Sequence, residues 1–229
     1  MDLTRVVFLV YPNVTQLDLT APAQVLSRLT NARVDLAWKS REPVQTDSGF
    51  ALLPTATLDE IEHADILCVP GGFGCVDVMQ DDEVLDWVRS IGKKAQWVTS
   101  VCTGALILGA AGLLRGYQAT THWAWHDYLK LFGADPVPER VVFDRNRVTG
   151  GCVTAGIDFA LALMVAIEGE DHARTVQLGL EYDPHPPFNS DTPDKAGEQL
   201  VQRVQNRTNR MAPDRKERIR TVAEGFKSR

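Results

Sequence analysis

Val98-Thr99-Ser100-Val101-Cys102-Thr103-Gly104-Ala105-Leu106 joins two patterns at one residue. The run from Gln96 to Val101 is apolar and β-branched and reads as a strand. The small-residue run from Gly104 to Gly112 reads as a helix. The cysteine between them sits on a sharp strand-to-helix turn, the arrangement of a nucleophile elbow. A helix N-terminus carries unpaired N–H groups and partial positive charge, so a thiol there is biased toward thiolate, the form that attacks. The plain alternative is an inert cysteine closing a core strand. The following T-G-A and two further motifs weigh against it.

Strand and helix patterns alternate on either side of this turn. Val6–Tyr11 is a continuous apolar run that suits a buried parallel strand. Leu19–Leu29 has helical spacing, with Pro22 expected in its first turn. Arg33–Trp38 and Asp65–Val69 are further strands, and Asp82–Lys94 is an amphipathic helix. Ala119–Thr121 reads as a short strand before a helix over Trp123–Phe132. Arg140–Phe143 and Arg147–Thr149 form a hairpin around Asp144-Arg145-Asn146. Thr154–Ile167 is almost wholly apolar, hence a buried helix, and Asp171–Leu180 is another. This order predicts an α/β fold, a mostly parallel sheet with helices on both faces. Asp183-Pro184-His185-Pro186-Pro187-Phe188-Asn189 is irregular by composition. It divides an α/β unit, residues 1–190, from a helical extension, 191–229. Lys195–Arg229 reads as one or two surface helices with a solvated face, or as a basic arm that meets a partner.

The chain has 229 residues, 44% hydrophobic and 24% charged, with a net charge of −6. That suits one α/β domain with a short extension and argues against nucleic acid as a partner, which needs a concentrated basic surface. No stretch is long and apolar enough to span a bilayer, and no secretory signal pattern is visible. Cys68, Cys75, Cys102 and Cys152 are widely spread and read as reduced thiols of a cytoplasmic protein.

Ligands of open α/β sheets bind outside the carboxyl ends of the strands, and three motifs fall there. Cys102 is the first. Pro70-Gly71-Gly72-Phe73-Gly74 is the second; its turn can aim N–H groups at negative charge, or be a plain Gly-rich turn. Gln16-Leu17-Asp18-Leu19 is the third, and it sets a carboxylate between two leucines. Asp18 is either part of the site or the N-cap of the following helix. His122 either pairs with Cys102 as an imidazolium–thiolate or is bonded into the core beside it. His122 and His126 alone make a poor metal site, so no metal is expected.

The segments Y-P-N-V-T-Q-L-D-L-T-A-P, V-P-G-G-F-G, V-T-S-V-C-T-G-A-L, A-T-T-H-W and V-T-G-G-C-V-T-A-G-I-D-F-A-L resemble the PfpI-like branch of the class I glutamine-amidotransferase-like superfamily. The resemblance runs from about Val6 to Phe188. It implies a flavodoxin-like three-layer α/β/α sandwich, a homodimer and a cofactor-independent enzyme. Cys102 would be the nucleophile and Asp18 its carboxylate partner, with backbone contributions from Gly72, Thr103 and Gly151. Tyr182 and Phe188 would help form an apolar pocket. Within the branch the similarity is to enzymes that hydrate isocyanides to N-substituted formamides. Related activities on small carbonyls, glyoxalase or deglycase, remain an alternative. Ligand-sensing domains of AraC-type regulators share the L-D-L, S-V-C-T-G and A-T-T-H-W segments but continue into a DNA-binding region, which Lys195–Arg229 is too short to provide.

Overall fold

The apolar runs become the centre of one sheet. The computed structural model describes residues 3–227; residues 1, 2, 228 and 229, the outer ends of the two expected units, lie outside the described residues. In chain order the elements are β1 (Thr4–Leu9), α1 (Gln16–Leu26), β2 (Ala32–Trp38), β3 (Val44–Gln45), β4 (Ala51–Leu52), β5 (Ala56–Thr57) and β6 (Ile66–Val69). There follow α2 (Cys75–Val78), α3 (Asp82–Lys94), β7 (Trp97–Val101), α4 (Gly104–Ala110) and β8 (Gln118–Ala119), then a 3₁₀ helix over Trp123–Phe132 and β9 (Asp135–Pro136). The chain ends with β10 (Val141–Asp144), β11 (Arg147–Gly150), α5 (Ala155–Glu168), α6 (Glu170–Gly179), α7 (Pro193–Ala196), α8 (Glu198–Met211) and α9 (Arg215–Lys227).

The main sheet runs β10-β11-β7-β6-β1-β2-β5. Every neighbouring pair is parallel except the β10–β11 hairpin. The α/β architecture with a mostly parallel sheet is the expected one. β6 and the latter part of β1 are buried on both faces, which is why Val6–Leu9 and Ile66–Val69 are continuous apolar runs rather than alternating ones; β7 and β11 are as deeply buried but carry Thr99, Ser100, Arg147 and Thr149. Helix α3 shows the local logic. The Asp81 side chain accepts from the Val84 N–H at 3.3 Å, acids occupy its first turn and lysines its last, and Val84, Val88 and Ile91 fall on one buried face. Each such side chain contributes about 1.5–3 kcal/mol by leaving water.

Some boundaries differ from expectation. Helix α1 starts at Gln16, so Pro22 lies in its interior and not in its first turn. The strand expected over Ala119–Thr121 is shorter and pairs with β9 outside the main sheet. The helix over Trp123–Phe132 is a 3₁₀ helix. The basic C-terminal stretch is helical but not merely a solvated surface, because Ile219 and Ala223 of α9 belong to the main hydrophobic core.

β6, β7 and α1 end or begin around one point, and Gly104 lets them close on it. A Cβ at Gly104 would overlap the Val69 carbonyl oxygen at the end of β6. Gly104→Ala is therefore expected to cost about 3 kcal/mol or more, because backbone and not a flexible side chain must move. A thermal melt reads this directly, and an unchanged Tm would contradict the close approach.

Candidate active site

Cys102 adopts φ = 54°, a left-handed conformation that is unfavourable for a side-chain-bearing residue. Anchors from two distant segments hold it there. Its N–H donates to the Gly150 carbonyl at 2.8 Å, and the Thr121 hydroxyl donates to its carbonyl at 2.7 Å. Strain of this kind, of order 1 kcal/mol, persists only where surroundings over-determine it, and it marks functional sites. The elbow expected from the sequence is thus present. The anchors Gly150 and Thr121 belong to the V-T-G-G-C and A-T-T-H-W segments, although neither residue was singled out in advance.

Asp18 lies in the first turn of α1 and is fully buried. It does not cap that helix, whose N-cap position is Thr15. Its Oδ2 instead accepts the Gly71 N–H at 3.0 Å. Oδ1 is buried without a conventional hydrogen-bond partner, and the Cys102 thiol is the polar side chain that meets this carboxyl. Burial is the main force on Asp18. It raises the carboxyl from the usual 3.8 to about 7, against the opposing pull of the Gly71 N–H.

The glycine that reaches Asp18 is Gly71, not Gly72. The Gly72 N–H is already taken by the Thr103 hydroxyl at 2.9 Å, and that hydroxyl donates back to the Gly72 carbonyl at 3.1 Å. At φ = 141° Gly72 adopts a turn that glycine alone tolerates well. It lines the cavity wall beside Cys102 with its N–H turned into this latch. The Thr103 backbone N–H reaches the Cys102 sulfur and favours its charged form.

That N–H does not prevail. Burial first, and the Asp18 charge second, hold the Cys102 thiol well above its ordinary value. The expected standing thiolate is therefore corrected: α4 is a short helix, and desolvation outweighs what its N-terminus offers. Cys75, fully buried nearby, acts on the thiol in the same direction. At neutral pH the thiol therefore keeps its proton, and the neighbouring carboxyl, raised to about 7, is the group of the pair placed to exchange one.

His122 is not held as an imidazolium. Its Nδ1 accepts the Ala124 N–H at 3.3 Å at the start of the 3₁₀ helix, and burial lowers its pKa to about 4. It is neutral at physiological pH, and an imidazolium–thiolate pair is not formed. It does line the same cavity as Cys102. Gly151 is not brought to the sulfur. Its N–H donates to the Arg140 carbonyl at 2.9 Å, and it lines a neighbouring cavity with Thr120, Arg140 and Cys152. Tyr182 donates to Asp158 at 3.1 Å, and Phe188 is 77% exposed. Neither lines the Cys102 cavity, so both are corrected as pocket residues. Among the described residues no group of three or more His, Cys, Asp or Glu side chains is arranged to hold a metal.

The cavity at Cys102 has a volume of about 270 Å³. Phe73, Trp125 and Val153 give it apolar walls, and Thr103 and His122 line it near the sulfur. Val204, Arg207 and Thr208 of α8 complete it, although the sequence offered only a polar helix there.

Residues 4–166 match the DJ-1/PfpI family. The isonitrile hydratase of Pseudomonas putida is 52% identical over 200 residues, which cover 87% of this chain and 88% of that protein. The HTH-type transcriptional regulator CdhR of Pseudomonas aeruginosa is 27% identical over 129 residues, 56% of this chain but only 38% of the regulator. Among solved structures, a THiJ/PfpI family protein from Pseudomonas syringae superposes with a TM-score of 0.91 at 39% identity. The match covers 97% of this chain and 91% of that one.

Proposed function

The chain belongs to the DJ-1/PfpI family, and from that premise we propose that it is an isonitrile hydratase, a hydro-lyase that converts an isocyanide and water to an N-substituted formamide. The observation that carries this reading is the buried Cys102–Asp18 pair at an apolar cavity. Isocyanides join a small polar head to a hydrocarbon body, and such a cavity suits both parts.

The chemistry follows from where the protons sit. As the Cys102 sulfur attacks the terminal carbon of R–N≡C, its proton passes to Asp18. The carboxyl then delivers that proton to the same carbon, giving the thioimidate R–N=CH–S–Cys102. Ionised once more, Asp18 draws a proton from water as the water oxygen bonds to the carbon. The nitrogen takes up that proton, giving R–NH–CH(OH)–S–Cys102. Breaking the C–S bond releases R–NH–CHO, and the hydroxyl proton returns through Asp18 to sulfur. One carboxyl serves as base and acid in turn, and a pKa of about 7 suits both duties at neutral pH. Neutral His122 is left with cavity shape and hydrogen bonding.

An intact-mass spectrum recorded after adding cyclohexyl isocyanide tests the reading. An adduct of substrate mass, absent from Cys102→Ser, together with N-cyclohexylformamide in solution is expected. Ligand-induced thermal stabilisation without product would instead favour a sensor, and lactate from methylglyoxal without formamide would favour a glyoxalase.

The enzyme works as a homodimer in this proposal. Ile157, Leu161 and Val165 recur every four residues along α5 and are left partly or largely uncovered, with Leu17 of the adjoining α1 also 39% exposed. Light scattering is expected to give twice the chain mass, and Leu161→Glu to give the single-chain mass. A wild-type monomer at micromolar concentration would contradict this. The thiols of Cys68, Cys75, Cys102 and Cys152 are all free, which fits a cytoplasmic protein. No described helix is long and apolar enough to cross a membrane.

A further inference from the structure

The reaction centre is assembled from α1, the β6–α2 loop and the elbow, but the wall opposite it comes from far along the chain. Helix α9 is anchored to the body. Ile219 and Ala223 are buried, the Arg218 guanidinium pairs with Asp77 at 2.6 Å, and Phe226 meets Phe132 with ring centroids 5.8 Å apart. This anchor holds the preceding helix, α8, over the cavity. Thr208 is 5% exposed, and its hydroxyl donates to the Val204 carbonyl at 3.0 Å, so its proton is already committed within α8. Val204, one turn earlier, adds its branched side chain to the lining.

All isocyanides share the same linear head, so the Cys102–Asp18 pair cannot tell one from another. Discrimination must come from contacts with the nitrogen substituent. Resting on the hydratase reading, we infer that α8 is the size gauge of the active site: Val204, which lines the cavity with Trp125 and Val153 and is 42% exposed at its rim, sets how bulky a hydrocarbon substituent may be while the terminal carbon reaches sulfur. Val204 is a specificity-determining residue with no part in the bond-making steps.

The test compares kcat/KM for n-butyl, cyclohexyl and 1-adamantyl isocyanide in the wild type, Val204→Ala, Val204→Trp and Leu200→Ala. Leu200 lies on α8 outside the cavity lining and serves as control. Val204→Ala is expected to raise the adamantyl-to-butyl ratio by about tenfold, and Val204→Trp to lower the cyclohexyl-to-butyl ratio by about tenfold, chiefly through KM. Leu200→Ala is expected to leave both ratios unchanged. Equal changes for all three substrates, or the same shifts from Leu200→Ala, would overturn the inference. A second readout does not depend on hydration: the rate of Cys102 alkylation by iodoacetamide against N-cyclohexylmaleimide, mapped by peptide mass. The same size order is expected there. If labelling follows residue 204 but no formamide forms, the hydratase reading fails and the gauge stands. If formamide forms and neither series depends on residue 204, the gauge falls alone.

Discussion

Cys102→Ala is expected to lower formamide production by about ten-thousandfold or more while leaving the fold intact. The covalent route needs a bond to sulfur, and among the described residues Cys102 is the one thiol that lines the cavity. Thr103 Oγ1 is engaged with Gly72, Thr15 Oγ1 with Asp47 and Thr208 Oγ1 with the Val204 carbonyl. The backbone anchors on residue 102 come from Gly150 and Thr121 and do not involve its side chain, so alanine keeps the elbow and its strain. Product analysis by liquid chromatography measures the loss, and a melting curve within a few degrees of wild type shows that the fold survives. Retention of even a hundredth of the wild-type rate would refute sulfur as nucleophile.

Asp18→Asn separates activity from stability. Turnover is expected to fall by about 10²–10⁴, because asparagine can neither take the thiol proton nor return it. Stability moves the other way with pH. The unfolded carboxyl ionises near 3.8 and the folded one near 7, so between those values the folded chain holds a proton that the unfolded chain has lost. Wild-type stability therefore declines as pH rises through that window, by up to about 1.4 kcal/mol per pH unit, and levels off above it. The variant lacks this slope. Relative to wild type it gains up to a few kcal/mol between about pH 4 and pH 7.5. Urea denaturation at both ends of the range reads the difference. Parallel stability curves for the two proteins would show that Asp18 is not held protonated by burial.

Much of the scaffold was legible because long apolar strands and an amphipathic helix announce themselves. The elbow could be read from Cys102, and Asp18 from its improbable place between two leucines. What escaped the sequence turned on geometry finer than pattern. Which of two adjacent glycines donates to Asp18 depends on the rotation at Gly72, and the motif P-G-G is silent on that. Gly150 and Gly151 differ by one residue, yet one anchors Cys102 and the other faces a different cavity. The thiolate expectation failed because helix-end electrostatics can be read from residue order, whereas the burial of the thiol and the carboxyl beside it cannot. The cavity wall of α8 was hidden for a similar reason. Its residues are mostly polar, and only the docking of α9 reveals which of them turn toward Cys102.

The posture of Cys102 depends on a carbonyl nearly fifty positions downstream. Cys102 takes its N–H partner from Gly150, at the end of the strand laid beside β7. A chain still emerging from the ribosome thus has no means of bending residue 102 into place until that later strand has been synthesised and paired. A product terminated before Gly150 would carry the cysteine without the partner that bends it.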